Sequence, residues 1–418
     1  MIATTRRAPA SSLPTQPDGA LGWDGWRFSV AVFAATVAFA VFATFFLPTL
    51  LGDPQWLTLG DARFTAQTAQ YVANGGAGYV YSANTQFLPL PGFPILLAPF
   101  VRIGQNFGLQ NGYPFMLQYP SMWLIIAPLF ALFGSTAIVG VDFLAATLGI
   151  AKGRRRVLAV MIAATVVLPT VCWAGHPEDL LALTLSAVSL AMVLRQRHAG
   201  AAVVLALAVL MQPWALLFIP LVAVAAPVGF RLRSLFYSSA LPGLCGLTML
   251  ALDWKDAYRA LILQPMQGLG QHLPWWSLGR PMPLVQEGIP TIVRVGSGPR
   301  ALAVLTAIVG AWLIRRCVRP DTIMLVAAAA LAARGIFETQ VWCYYLAPAG
   351  VFLVLAAAMS HDRRGWVVGG LCGFVFYGCV AASYDAWQMP SFLALAILCA
   401  SAGGALLAAR QHGRITGS

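Results

Sequence analysis

The chain has 418 residues, 59% of them hydrophobic and only 10% charged, with a mean hydropathy of +0.75. A soluble domain carries about 25% charged and about 45–50% apolar residues, so a water-soluble shell cannot be built here. The composition excludes a soluble enzyme, a secreted disulfide scaffold and a nucleic-acid binder, and it leaves a multi-span integral membrane protein. The seven cysteines are scattered without C-x-x-C spacing, which speaks against a disulfide framework or a metal site.

Residues 1–27, rich in Pro, Ser and Thr at their start, read as a disordered cytoplasmic tail. The apolar run 28–51 is too long for a signal-peptide core and reads as the first transmembrane helix. Further candidate spans are 87–103, 117–133, 136–150, 157–173, 180–194, 199–211, 214–226, 235–252, 301–314, 323–333, 341–359, 366–380 and 391–409. Several are short or broken by Pro, so the expected number is 11–14. Interrupted helices are tolerated at membrane depth where protein or a watery cavity covers the backbone. The expected architecture is an all-α polytopic transmembrane bundle, one domain over 28–409, with a short cytoplasmic tail at 410–418.

Basic residues give the expected sidedness. Arg6, Arg7, Arg27, Arg102, Lys152, Arg154, Arg155, Arg156, Arg195, Arg197, Arg231, Arg233, Arg315, Arg316, Arg319, Arg363, Arg364, Arg410 and Arg414 fall on one side and mark the cytoplasm. Arg63, Lys255, Arg259, Arg280, Arg294, Arg300 and Arg334 fall on the other. The net charge of +12 is thereby explained by topology. Asp53, Asp61, Glu178, Asp179, Asp253, Asp256, Glu287, Glu338 and Asp385 gather on the exterior side, as do the two longest connections, 52–86 and 253–300. Twenty-four of the 26 basic residues are Arg, the bias of a GC-rich bacterial genome.

Five segments carry candidate chemistry. In the first exterior loop Asp61 opens a stretch whose Phe64, Thr68, Tyr71 and Val72 share a helical face, closed by Gly75-Gly76, so an amphipathic helix is predicted there. Asp61 reads equally as a helix N-cap and as a carboxylate able to take a proton from a sugar hydroxyl. The segment Gly175-His176-Pro177-Glu178-Asp179 suits an ordinary helix start, with Pro at the first position and acids in the first turn. That reading leaves His176 unexplained, and three ionisable groups within four positions at a membrane boundary point to function.

Gln212-Pro213-Trp214 breaks an apolar stretch, as a hairpin turn or as a ligand contact. The loop 264–300 carries His272, Trp275, Trp276, Arg280 and Arg294; its aromatics fit an interfacial belt or a platform for a sugar ring, its arginines a phosphate. Last, Arg334 precedes Glu338, with which it can pair, and the aromatic run Trp342-Cys343-Tyr344-Tyr345. Asp142, in an apolar run near the cytoplasmic half, stays ambiguous. No P-loop, serine-hydrolase elbow or zincin motif occurs.

Leu59-Gly60-Asp61 followed by Tyr71, Gly175-His176-Pro177-Glu178-Asp179, Gln212-Pro213-Trp214 and Trp342-x-Tyr344-Tyr345-Leu346, in that order, resemble the GT-C superfamily of membrane glycosyltransferases. More specifically the chain resembles actinobacterial polyprenyl-phosphate-mannose-dependent mannosyltransferases. Relatives often carry Lys at the position of Gln212. The resemblance implies a sugar donor on a lipid phosphate, used at the exterior face of the cell membrane, and a lipid-linked or cell-envelope glycan acceptor. It implies no nucleotide or cofactor and usually no metal, and an acid of the first exterior loop, here Asp61, as general base, with inversion at the sugar C1. Arg280, Arg294, Arg334 and His272 compete as ligands of the leaving phosphate. His176, Glu178, Asp179, Gln212, Trp275, Trp276, Tyr344 and Tyr345 are the candidates for acceptor or sugar binding. A transporter or flippase of a lipid-linked glycan is the alternative; it also needs broken helices, and it usually has internal repeats, of which none is evident here.

Overall fold

The computed structural model describes residues 23–51, 60–82, 89–110, 121–263, 280–282, 292–294, 298–315, 318–337 and 343–359, and then 396, 397, 399–401, 403 and 404. Its helices are α1 (Trp23–Phe45), α2 (Leu47–Leu50), α3 (Gly60–Ala73), α4 (Gly92–Asn106), α5 (Trp123–Thr147), α6 (Lys152–Ile162), α7 (Pro177–Leu194), α8 (His198–Met211), α9 (Ile219–Ala225), α10 (Arg231–Leu252), α11 (Trp254–Tyr258), α12 (Gly298–Ile314), α13 (Pro320–Phe337) and α14 (Ala347–Met359). The expected all-helical class holds apart from a short antiparallel ribbon, β1 (Arg280–Met282) with β2 (Ile292–Arg294), in which Arg280 stands opposite Arg294.

Among the described residues, six helical stretches are long and apolar enough to cross a membrane: Gly25–Phe45, Trp123–Thr147, Lys152–Cys172, Pro177–Leu194, Val228–Leu252 and Pro320–Phe337. The first and fifth are the least buried, and Phe39, Phe42, Leu232, Phe236, Leu244 and Leu247 lie exposed on them. Large apolar side chains turned outward along whole helices suit a lipid surround. This is a membrane protein.

Several expected boundaries move. Helix α1 begins at Trp23, so the last five residues of the expected disordered tail are helical. One helix, α5, runs through 123–147 and joins the expected spans 117–133 and 136–150. Gly134, near the middle of α5, is a packing position rather than a break: a Cβ there would collide with the Val171 side chain and sit 3.2 Å from Leu180. Close approach of helices through a small residue is the usual packing device in a bilayer. The expected spans 366–380 and most of 391–409 lie outside the described residues.

The helices share two chemically distinct ends. Helices α5 and α7 run the same way, since Gly134 meets Leu180 while Thr147 Oγ1 accepts from Arg195 Nε at 3.2 Å. Helix α8 runs back along α7, with Ser189 Oγ donating to the Ala201 carbonyl at 2.8 Å. At one end Arg154 Nη1 donates to the Ala358 carbonyl of α14, and Arg155 Nη2 to the Gly25 carbonyl of α1. Arg195 also covers the Phe143 ring at 4.4 Å. The other end holds the starts of α3, α7 and α14 and the end of α8. The 18 residues of α7 separate the two ends by about 27 Å at 1.5 Å per residue, close to the hydrocarbon thickness of a bilayer.

Helix α4 changes one expected assignment. A Cβ on Gly92 would collide with the Leu210 backbone, and one on Gly104 would lie 2.6 Å from Met122 Sδ, just ahead of α5. Both ends of α4 are thus at the end of the bundle opposite Arg195, and α4 does not run from one end to the other. Arg102, which donates to Asn74 Oδ1 at 3.2 Å, belongs with that end and not with the cytoplasmic set in which its charge placed it. Because α5 is one crossing rather than two, the alternation of helix directions survives. Helix α3 lies along α4, burying Ala62, Thr65, Ala66, Thr68 and Ala69; of the expected apolar face only Thr68 is fully buried.

The basic end is locked by a buried ion pair that settles Asp142. Arg155 Nε and Nη2 donate to Asp142 Oδ1 and Oδ2, each at 2.7 Å, and both side chains are almost fully enclosed. A two-pronged guanidinium–carboxylate contact ties α5 to α6, and the Arg155 charge also faces the Trp26 ring of α1. Removing one partner strands a buried charge, at about 3–5 kcal/mol, whereas replacing both by apolar groups is close to neutral. Asp142→Leu and Arg155→Met are therefore each expected to lower the unfolding midpoint in detergent sharply, with the double variant nearer wild type. Equal losses in all three would show that the pair contributes through packing alone.

Candidate active site

The site is assembled at the end opposite Asp142. Helix α6 reaches it through two wide turns, Ala163–Val167 and Thr170–Ala174, in which the backbone bonds to the fifth residue back. Such turns re-aim the chain and are common at functional positions. Gly175 then adopts φ +73°, a left-handed conformation that suits glycine, and closes the second turn. His176 follows as the N-cap of α7, its backbone N–H donating to the Thr170 carbonyl. Pro177 occupies the first turn of α7 with Glu178 and Asp179, as the sequence leads one to expect, and the carboxylates face the positive end of that helix.

His176 bridges two carboxylates. Its Nε2 lies 2.9 Å from Asp61 Oδ2 and its Nδ1 2.7 Å from Glu178 Oε1. Asp179 Oδ2 is 3.9 Å from the same Nδ1. Tyr344 stacks on the imidazole with centroids 4.6 Å apart and planes 20° apart, and Tyr345 meets Tyr344 edge-on at 4.7 Å. The Arg334 guanidinium lies over the Tyr345 ring at 4.4 Å and acts electrostatically on Asp179. Glu178 and Asp179 are buried and His176 is half-buried, but 56% of the Asp61 side chain stays accessible, so Asp61 is the acid that an incoming group can reach.

Asp61 stands in the first turn of α3, where the helix terminus favours a carboxylate, and its bond to His176 crosses 115 positions of sequence. The N-cap reading of Asp61 gives way to this link. The Gln212-Pro213-Trp214 break also acquires a purpose. Gln212 is extended, which ends α8 and starts a 3-10 turn, Pro213–Phe218. Gln212 Nε2 and Trp214 Nε1 then donate to the two oxygens of Asp179, at 3.3 and 2.6 Å. Trp214, which the sequence offered only as part of the Gln212-Pro213-Trp214 break and not among the binding candidates, is a site residue. The signal was there: an indole N–H has only donor capacity and needs an acceptor when buried.

The surroundings set the charge states. The protein atoms around Asp61 disfavour its charge, but the hydrogen bond and positive charge of His176 prevail and hold its pKa below the ordinary 3.8. Burial works against a charged His176, yet Glu178 and Asp61 together raise its pKa well above the ordinary 6.5. The Asp61 contribution to the link therefore fades as pH falls through its lowered value. The His176 contribution fades as pH rises through its raised one, so the link is complete across neutral pH.

Donor atoms of His176, Glu178 and Asp179 lie within 4.8 Å of one another, near enough to converge on one cation. Each of the three residues already has an internal hydrogen bond, and Asp179 has one on each oxygen. Asp179 is thereby committed to the indole and the Gln212 amide, while Glu178 holds the imidazole through Oε1 and keeps a buried second oxygen, Oε2, without a hydrogen-bond partner among the described residues.

Of the expected site residues, Asp61, His176, Glu178, Asp179, Gln212, Arg334, Tyr344 and Tyr345 come together. Arg280 and Arg294 are set opposite each other in the backbone register of the ribbon. His272, Trp275, Trp276, Glu287, Glu338, Trp342 and Asp385 lie outside the described residues. Comparison with protein-family models, with curated proteins and with solved structures returns no match.

Proposed function

We propose that this chain is an integral membrane glycosyltransferase. It moves a sugar, mannose by the resemblance of its motifs, from a polyprenyl-phosphate donor to a lipid-linked or cell-envelope glycan at the outer face of the cell membrane. The observation that carries this reading is an accessible carboxylate, Asp61, tethered to a half-buried His176 at one end of a membrane-thick helical bundle, with the Arg334 cation nearby. The end opposite, rich in Arg, is the cytoplasmic one by the positive-inside rule.

The chemistry balances at this site. Asp61 takes the proton of the acceptor hydroxyl as its oxygen forms a bond to C1 of the sugar. The bond from C1 to the phosphate oxygen breaks on the opposite side, inverting C1, and the electron pair leaves with polyprenyl phosphate. The phosphate gains one negative charge in this step, and a preplaced cation lowers the barrier by meeting it there. Of the expected phosphate ligands, Arg334 has a described side chain, and its charge acts on Asp179 of the cluster. Water kept from the enclosed part of the site limits hydrolysis of the donor.

Transfer and transport are separated by one reconstitution. Purified protein in liposomes is given a radiolabelled polyprenyl-phosphate sugar and a glycolipid extract, and both glycolipid product and label crossing the bilayer are measured. The glycosyltransferase reading expects labelled glycolipid and no crossing. Crossing without product supports the flippase, which needs polar access from both ends; among the described residues the acidic cluster with an accessible member lies at one.

A further inference from the structure

The imidazole of His176 sits between two acceptor-only groups. A carboxylate has no proton to donate when ionised, so each of the two short contacts needs an N–H from the ring. Neutral imidazole has one N–H, and it would leave a bare nitrogen facing either Asp61 or Glu178. Both contacts, at 2.9 and 2.7 Å, are satisfied together only by the imidazolium. The groups that face it from the surrounding elements are Asp61 on α3, Glu178 and Asp179 on α7, and Tyr344 in the turn before α14. Arg334 on α13 acts on Asp179 from farther out, and Tyr345 backs Tyr344. Gln212 and Trp214 are uncharged donors to Asp179. Three acids thus surround one ring.

Resting on the glycosyltransferase reading, we infer that His176, clamped as an imidazolium by Glu178, is a positioning residue that holds the Asp61 carboxylate ionised and turned toward the acceptor hydroxyl. His176 is largely enclosed and stacked by Tyr344, so it has little access to substrate, whereas Asp61 has ample access. Glu178 supplies the charge that keeps the ring protonated, and the Gln212–Trp214 pair fixes Asp179 beside it. The acid that contacts substrate is one; the others orient it.

The test is the pH profile of sugar transfer, wild type against His176→Gln and Glu178→Gln. His176→Gln retains an N–H for Asp61 but loses the charge, leaving the desolvation of Asp61 unopposed. Its acid limb is expected to move to higher pH. Its rate should fall about tenfold or more, short of the about 10²–10⁴-fold that removal of the base itself produces. Glu178→Gln keeps the shape and removes the neighbouring charge, so His176 loses its proton more readily and the alkaline limb is expected to move to lower pH. Both limbs standing at their wild-type positions in folded variants would overturn the inference.

A second measurement needs no turnover. In protein labelled with 15N-histidine, the ring whose signals change in Glu178→Gln is His176, and at neutral pH the wild-type ring is expected to carry protons on both nitrogens. A neutral ring there overturns the inference even if transfer is confirmed. Conversely, a doubly protonated ring in a protein that transfers no sugar keeps the clamp and removes the reading on which its purpose rests.

Discussion

Asp61→Asn is expected to reduce sugar transfer by about 10²–10⁴-fold, the usual contribution of a positioned general base. The substitution is nearly isosteric, and the Asn carbonyl oxygen can still accept from His176 Nε2, so the junction of α3 with α7 should persist. On the proposed reading, what disappears is the ability to take a proton from the acceptor. Donor binding should be retained, because the role assigned to Asp61 concerns the acceptor side of C1 and not the phosphate. The informative experiment pairs single-turnover transfer with binding of labelled donor to the same detergent-solubilised preparation. Transfer within a few-fold of wild type would remove Asp61 from the mechanism. Loss of donor binding along with transfer would make Asp61 a structural residue of the junction.

Arg334→Met carries the second large effect. If Arg334 meets the charge that develops on the leaving phosphate, its removal should slow transfer by about 10²–10³-fold, the scale measured when one preorganised donor to a developing oxyanion is lost. Arg334→Lys keeps a cation without the planar fork and should recover only part of this. The competing role is electrostatic support of Asp179, on which Arg334 acts. The double variant Arg334→Met/Asp179→Asn distinguishes them. Support of Asp179 alone predicts that removing both charges restores transfer toward the level of Asp179→Asn by itself. Action on phosphate predicts that the double variant stays as slow as Arg334→Met or slower. Donor affinity adds a further reading: a phosphate ligand should weaken binding in Arg334→Met, and a supporter of Asp179 should not.

The two ends of the bundle have unlike demands. The Asp142–Arg155 pair lies in a dry contact between helices, where two charges satisfy each other and each needs the other. In the Asp61–His176–Glu178 chain one terminus remains open to solvent or substrate. A closed pair secures the fold. An open-ended chain leaves an acceptor oxygen that a ligand can use.

Much of this was legible in the chain of residues. Membrane character follows from composition, because 10% charged residues cannot cover a protein in water whatever its fold. Helix starts such as Pro177-Glu178-Asp179 and stops such as Gly75-Gly76 are local, decided by backbone sterics and the helix terminus, and they appear where expected. The motifs Asp61, His176-Pro177-Glu178-Asp179, Gln212-Pro213-Trp214, Arg334 and Tyr344-Tyr345 stand out because polar groups interrupting apolar runs are costly.

Pairing was another matter. The bond between Asp61 and His176, the two donors on Asp179 and the ion pair of Asp142 with Arg155 depend on which helices are neighbours, and hydropathy is blind to neighbours. The same blindness divided α5 at Gly134-Ser135, where a gap in side-chain volume is filled by Val171 and Leu180 from other elements. It also put Arg102 among the cytoplasmic arginines, since charge counting presumes that each apolar run crosses, and α4 does not. The kinds of residue and the local turns were determined by the sequence itself. Which acid meets which base was decided by tertiary packing, because that choice is made between side chains 13 positions apart for Asp142 and Arg155 and 115 apart for Asp61 and His176.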